Sequence, residues 1–117
     1  LALNGDDSNP RVQGLEGILK AYHQTIENIW FAGPSYLAPV LNAFASIVQS
    51  TKGQPIYHVA MIFTDGQLHD VSETKSLLVS LSHLPCSVVL IGLGKLDFTE
   101  FHEFDCDRGR LKDDEGN

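Results

Sequence analysis

Residues 56–66, IYHVAMIFTDG, and residues 84–94, LPCSVVLIGLG, decide the fold of this chain. Each contains a nearly unbroken apolar run that ends at a turn signal, Thr-Asp-Gly in the first and Gly-Leu-Gly in the second. Such runs are typical of strands buried on both faces of a sheet. Between them, residues 70–81 carry leucines at helical spacing. Strand, helix and strand form a βαβ unit, so we expect the strands, residues 56–63 and 86–91, to be adjacent, parallel and deeply buried.

Two more helices are predicted upstream, because apolar residues recur there at helical spacing. The first stripe comprises Leu15, Ile18, Leu19, Tyr22, Ile26 and Ile29. The second comprises Leu37, Val40, Leu41, Phe44, Ile47 and Val48. Pro39 falls in the first turn of the second helix, where its missing N–H costs little. The segment upstream of the βαβ unit is therefore also predicted to be helical, and one face of each helix is expected to be buried.

Local signals predict where these elements begin. Ser35 is placed to cap the second helix, and Asp70 with Glu73 resembles a capping box at the start of the third. The apolar residues 29–32 predict a brief strand, and Asp97 is placed to start a last short helix.

This order of elements predicts the α/β class, with a Rossmann-like, open and mainly parallel sheet flanked by helices. Two or three strands would leave the edges of such a sheet bare. We therefore expect a domain that is truncated at its N-terminal side. Its sheet should expose an apolar edge or face, which favours self-association or pairing with a missing segment. The single partial domain spans residues 1–117, with a loop over residues 1–14 and a polar tail over residues 105–117.

Composition excludes some classes of partner. Fifteen acidic and eight basic residues give a formal net charge of −7. Such a surface repels phosphate backbones and anionic lipid, so we expect no binding to nucleic acid and no direct docking on membranes. Cys86 and Cys106 lie in unlike settings and are expected to be free thiols of a reducing, cytoplasmic compartment. No signal peptide or membrane-spanning run is recognisable.

Two oxygen-bearing residues are candidates for a cation site. Asp65 directly follows the first strand of the βαβ unit, and Ser35 follows the predicted strand over residues 29–32. Ligands of open parallel sheets bind beyond the carboxyl ends of the strands. A carboxylate and a hydroxyl at that edge suit Mg²⁺ or Mn²⁺. A plain turn aspartate and a helix-capping serine are the alternatives.

Four elements of the sequence resemble the copine family. Residues 31–40, FAGPSYLAPV, are similar to its GPTxFxPI element, and residues 62–66, IFTDG, to its ITDG strand end. Residues 84–98 resemble its LPxSIIIVGVGxxDF segment. Residues 3–5 and 17–22 are similar to its LNG…GILEAY stretch. The elements follow one another in the family's order and cover nearly the whole chain.

The resemblance implies the C-terminal part of a von Willebrand factor A-like domain. In copines, two C2 domains bind phospholipid in a calcium-dependent way and the A domain recruits protein partners. The resemblance also implies a metal-ion-dependent adhesion site for Mg²⁺ or Mn²⁺, with Ser35 on its second ligand loop and Asp65 on its third. Thr64 and His69 are placed to orient those ligands.

The first ligand loop of such sites, Asp-x-Ser/Thr-x-Ser, has no counterpart here. The stretch Asp6-Asp7-Ser8-Asn9 follows no strand, and Pro10 stands where the second serine belongs. We therefore expect weak metal binding by a non-enzymatic interaction module. The protein partners are unidentified, and membrane recruitment and Ca²⁺ binding would belong to domains outside this chain.

Two alternatives stay open. RING-type ubiquitin ligases of plants contain a closely similar A domain, which a RING motif outside these residues would indicate. A hydrolase triad of Ser35, His69 and Asp65 can also be drawn, although no nucleophile elbow surrounds Ser35.

Overall fold

The computed structural model describes residues 2–30, 32–95, 98–104, 111–112 and 116. The elements follow in the order α1 (Gly14–Ile26), α2 (Ala38–Ser50), β1 (His58–Thr64), α3 (Val71–Leu81) and β2 (Cys86–Gly92), and a 3₁₀ helix spans Thr99–Glu103. The chain divides into two units, Leu1–Gly33 and Pro34–Asn117. No helix of the described residues has the length and apolarity that a membrane crossing requires.

The first unit consists of a folded loop and α1. In the loop, the Asp6 carboxylate accepts hydrogen bonds from the hydroxyl of Ser8 and from the backbone N–H groups of Ser8 and Asn9. These bonds, the Ser8 hydroxyl first, lower the pKa of Asp6 below its ordinary value. The Thr25 hydroxyl, 2.8 Å from the carbonyl oxygen of Leu3, ties the loop to the end of α1.

Two predictions for this unit are wrong. Within α1 only Ala21 is buried, and the predicted apolar stripe is largely exposed. The brief strand predicted over residues 29–32 does not form at Ile29, Trp30 or Ala32, while Phe31 lies outside the described residues. In the described structure these residues pair with no strand, so the local apolar run alone does not make one.

The βαβ unit is confirmed in the second unit. β1 and β2 are adjacent and parallel, and their register runs from His58 opposite Cys86 to Thr64 opposite Gly92. α3 lies between them in sequence. The structure therefore belongs to the α/β class, with a two-stranded parallel sheet as its described part. A larger Rossmann-like sheet stays a prediction.

The core of this unit lies between α2, α3 and one face of the sheet. Its centre is formed by Leu37, Leu41 and Leu81, and Leu41 is fully buried. Partly buried side chains of both helices and both strands pack against this centre: Phe44, Leu77, Leu78, Ile62, Val88 and Leu90. These side chains come from the helical stripes and from alternate strand positions, as expected for helices on a sheet.

Burial of both sheet faces, in contrast, is a wrong prediction. Exposure alternates along β1, and Val59, Met61 and Phe63 are 57%, 60% and 61% exposed. Val89 of β2 is also exposed. Because α2 and α3 pack on the same face, the opposite face of the described sheet faces solvent. The apolar side chains of the two strands thus form a larger surface than the described helices of this unit cover.

The end of β2 is fixed by close packing of an aromatic ring. A Cβ atom at Gly92 would lie 2.6 Å from the Phe98 ring, so any larger residue there would displace the ring. The Phe98 ring in turn lies against Phe101, with their centroids 5.9 Å apart. This packing explains the first glycine of the Gly-Leu-Gly signal, whereas Gly94 has φ 97°, a left-handed conformation that favours glycine. The predicted helix start at Asp97 and residues 105–110, 113–115 and 117 of the polar tail lie outside the described residues.

We expect the buried hydroxyl of Thr74 to cost stability. Thr74 is fully buried on α3, and its Oγ1 has no hydrogen-bond partner among the described residues. Thr74→Val keeps the branched shape and removes the unpaired polar atom, so the free energy of unfolding should rise by about 1 kcal/mol. Urea titration followed by circular dichroism measures this change.

Thr51→Val is the matched control. The Thr51 hydroxyl lies 3.0 Å from the carbonyl oxygen of Val48 and 2.7 Å from Nε2 of His58. Threonine-to-valine substitution at position 51 removes these two hydrogen bonds and should lower the free energy of unfolding by about 1 kcal/mol. A loss of stability in Thr74→Val would mean that its hydroxyl has a partner after all.

Candidate functional site

Two loops of the second unit form the candidate site, one leading into α2 and one leaving β1. The second loop begins with Asp65, directly after the last residue of the strand. The turn is held by Thr64, whose Oγ1 accepts a hydrogen bond of 3.3 Å from the N–H of Gly66. Gly66 is buried at φ 99°, a left-handed conformation that favours glycine. The Asp65 carboxylate is thereby placed at the carboxyl edge of the sheet.

A carboxylate from the second loop caps α2. Asp70 accepts hydrogen bonds from the backbone N–H groups of Leu37, at 3.0 Å, and Ala38, at 2.7 Å. These are N-terminal amides of α2, which have no partner within the helix. A carboxylate at this position also interacts favourably with the helix dipole. Asp70 thus binds the two loops together.

This arrangement overturns both capping predictions. The N-cap of α2 is Leu37 rather than Ser35, and no side chain of the same helix end caps it. Asp70 precedes α3, yet it makes no side-chain cap bond to α3, so the capping box with Glu73 does not form. The carboxylate that local sequence assigns to α3 is used by α2 instead.

Ser35 is held through its backbone. Its carbonyl oxygen accepts a hydrogen bond of 3.2 Å from the N–H of His69, and Nδ1 of the His69 ring lies 3.3 Å from the same oxygen. The imidazole therefore contacts the carbonyl of Ser35, where a hydrolase triad would require a hydrogen bond to its hydroxyl.

The two loops enclose a cleft with a volume of ≈ 310 Å³ at the end of β1. Ser35 and Asp65 both line it. The remaining lining residues come from the same loops, from α2 and from β1: Tyr36, Leu37, Val40, Ile62, Phe63, Thr64, Gln67 and Leu68. The structure thus brings the two candidate ligands into one cleft, and Thr64 and His69 lie beside them. Whether these groups bind a cation stays a prediction.

The donors available in the cleft are hard oxygens. Asp65 supplies a carboxylate, and Ser35 and Thr64 carry hydroxyls. Asp65 Oδ1 is 3.4 Å from the N–H of Gln67 and belongs to an exposed residue, so it can also face solvent. Within the described ranges, no three His, Cys, Asp or Glu side chains form a metal-binding group. A single carboxylate with hydroxyls and waters suits weak Mg²⁺ binding rather than a closed metal cage.

Cys86 lies apart from the cleft, at the start of β2. Burial raises the pKa of its thiol, and its Sγ is 3.5 Å from the carbonyl oxygen of Leu81. A thiol with a raised pKa is a poor nucleophile at neutral pH. Cys86 is a free cysteine, as expected, and Cys106 lies outside the described residues.

Comparison with known proteins gives consistent matches. The family model described as Copine matches residues 1–117. Protein BONZAI 1 of Arabidopsis thaliana is 41% identical over an alignment of 117 residues. The match covers 97% of this chain and 20% of that protein. Protein BONZAI 2 of the same plant is 39% identical over 109 residues, which cover 92% of this chain and 19% of that protein. The chain thus spans about a fifth of the length of these curated relatives.

Asp70→Ala should destabilise the protein by removing the cap of α2. Loss of a capping carboxylate costs about 1 to 2 kcal/mol of unfolding free energy. Glu73→Ala is the control, because Glu73 is exposed and makes no cap bond in the structure. It should change the unfolding free energy by less than about 0.5 kcal/mol. Both free energies are measured by urea unfolding. Equal losses of unfolding free energy in the two variants would support the capping box and contradict the binding of α2 by Asp70.

Proposed function

This chain belongs to the copine family, and from its membership and the cleft at the end of β1 we propose a non-enzymatic protein-interaction module with a weak divalent-cation site. Ser35 and Asp65 would be the protein ligands of the cation, which would be Mg²⁺ or Mn²⁺. The observation that carries the proposal is the Asp70 carboxylate. By binding the start of α2, it brings the loop of Ser35 to the loop of Asp65.

The composition of the cleft supports a cation over an anion. Among the described residues that line it, Asp65 is the one that carries a charge. An uncompensated carboxylate beside hydroxyl oxygens attracts a hard cation, whereas a phosphate would be repelled. Mg²⁺ keeps several of its waters when few carboxylates bind it, so such a site would offer exchangeable coordination positions to an oxygen of a partner.

The apolar rim of the cleft supports the partner being a protein. Tyr36, Val40 and Phe63 line the cleft and are at least half exposed. Aromatic and aliphatic groups around a polar centre are the usual composition of a protein-binding surface. Binding of a partner there would bury these side chains around the cation.

Lack of catalysis is part of the proposal. No cysteine is among the described lining residues of the cleft, and the His69 ring contacts the carbonyl of Ser35. Serine with no general base at its hydroxyl is a weak nucleophile. For the whole protein we propose a cytoplasmic location. Ca²⁺-dependent phospholipid binding would be contributed by C2 domains outside these residues.

Mn²⁺-induced line broadening in the amide NMR spectrum tests the cation site. Weak binding, with a Kd on the order of a millimolar, should broaden the amides around Ser35 and Asp65 before others. Asp65→Ala should abolish this local broadening, because it removes the only carboxylate among the described residues that line the cleft. Ser35→Ala should weaken it, and excess Mg²⁺ should reverse it.

Glu73→Ala serves as the matched control, since it removes an exposed carboxylate outside the cleft. Its broadening pattern should equal that of the unaltered chain. If Mn²⁺ broadens only amides of the acidic residues near the C-terminus, or if Asp65→Ala leaves the pattern unchanged, the cleft is not a cation site.

A further inference from the structure

The loop of the first unit contains a chemically reactive dipeptide, Asn4-Gly5. Gly5 has φ 77°, a left-handed conformation that residues with a side chain rarely adopt, so the turn favours glycine at this position. A glycine after an asparagine leaves its backbone nitrogen unhindered, and that nitrogen can attack the carbonyl carbon of the asparagine side chain. The backbone requirement of the turn therefore places a reactive neighbour beside Asn4.

The folded loop holds the side-chain amide of Asn4 in place. Its Oδ1 accepts a hydrogen bond of 3.1 Å from the N–H of Asp6. Its Nδ2 donates to the carbonyl oxygens of Asn9, at 2.8 Å, and Arg11, at 3.4 Å. These partners all lie within residues 2–11, so the restraint on Asn4 is internal to the loop.

The attacking nitrogen is held as well. The N–H of Gly5 donates a hydrogen bond of 3.0 Å to the carbonyl oxygen of Ala2. The adjoining residue, Leu3, is tied to α1 by the hydroxyl of Thr25, 2.8 Å from its carbonyl oxygen. Attack on Asn4 requires both the amide and the nitrogen to leave these partners, so the reaction requires local opening of the loop.

We propose that Asn4 is a deamidation site whose reaction requires the loop to open. In the open loop, the Gly5 nitrogen gives its proton to hydroxide and bonds to Cγ of Asn4. The side-chain NH₂ group takes a proton from water and leaves as ammonia, and a succinimide ring remains. Water then breaks one of the two C–N bonds of the ring, which leaves aspartate or isoaspartate at position 4. One water is consumed and one ammonia is released, with no change of oxidation state.

The product cannot restore the folded loop. A carboxylate has no hydrogen to donate, so the carbonyl oxygens of Asn9 and Arg11 would lose the donor that Asn4 supplies. The new negative charge would also lie close to the carboxylate of Asp6, whose N–H binds the same side chain. Isoaspartate adds one further carbon to the backbone of the turn. Deamidation therefore converts the loop from a closed to an open state in one direction only.

Peptide mass spectrometry tests the site. The chain is incubated at mildly alkaline pH with and without urea and digested with trypsin, and the peptide that ends at Arg11 is followed for exchange of an NH₂ group for OH. Asn4 should react about tenfold more slowly in the folded chain than in urea, because the loop is mostly closed. Asn9 is the internal reference, since Pro10 after it has no N–H to lose. Equal rates in the two conditions, or no reaction of Asn4 in urea, overturns the proposal.

Thr25→Val tests whether opening of the loop controls the rate. It removes the hydrogen bond to Leu3 and should raise the deamidation rate of Asn4 about fivefold, which is the change in an opening equilibrium that one hydrogen bond brings. Thr51→Val is the matched control, because it removes hydroxyl bonds at the end of a helix in the second unit. It should leave the rate unchanged. Equal rates in the two variants would mean that this loop does not control the reaction.

Asn4→Asp tests whether the product keeps the loop open. The amides of Ser8 and Asn9, which donate to the Asp6 carboxylate in the folded loop, should exchange with solvent deuterium about tenfold faster in this variant. Asn42→Asp is the matched control, since it adds the same charge at an exposed position of α2. It should leave these two amides unchanged. Unchanged exchange in Asn4→Asp would contradict the one-way change of the loop.

Discussion

The bond between the Asp70 carboxylate and the start of α2 is the interaction on which the candidate site depends. Two backbone N–H groups that no helical carbonyl can reach are satisfied by one carboxylate from a loop 32 and 33 residues further along the chain. The same contact fixes how far the loop of Ser35 lies from the loop of Asp65. The hydrogen bonds that cap α2 therefore also hold the two loops of the site together. The shape of the cleft follows from the need of these backbone N–H groups for an acceptor.

Much of the second unit follows from short-range patterns in the sequence. The unbroken apolar runs identified β1 and β2, and the turn signals placed their ends within one or two residues. Asp65 was found because a carboxylate after a buried strand must lie at the sheet edge. The role of Asp70 could not be found in this way, since a carboxylate before a helix is locally indistinguishable from an N-cap of that helix. Only the distance between the two loops in space reveals which amides it binds.

An apolar run predicts that a segment is buried, whereas the described structure gives the burial that the segment has. Met61 and Phe63 fit a strand covered on both faces, yet the described helices of their unit cover one. The stripe of α1 shows the same mismatch at Leu15 and Ile18. Sequence periodicity cannot say which surface meets these side chains, because it encodes apolarity and spacing but not the identity of the neighbour.

The chain separation between Asp70 and α2 also bears on the order of folding. The first turn of α2 is capped by a carboxylate that follows β1 in the chain, so this capping requires the loop after β1 to be in place. Closing a loop of this length costs entropy before the capping bonds return any enthalpy. We therefore expect the first turn of α2 to fray in partly folded states and the cleft to be among the last features to form. A ligand that holds the two loops together would then bind the native state in preference to those states and slow unfolding.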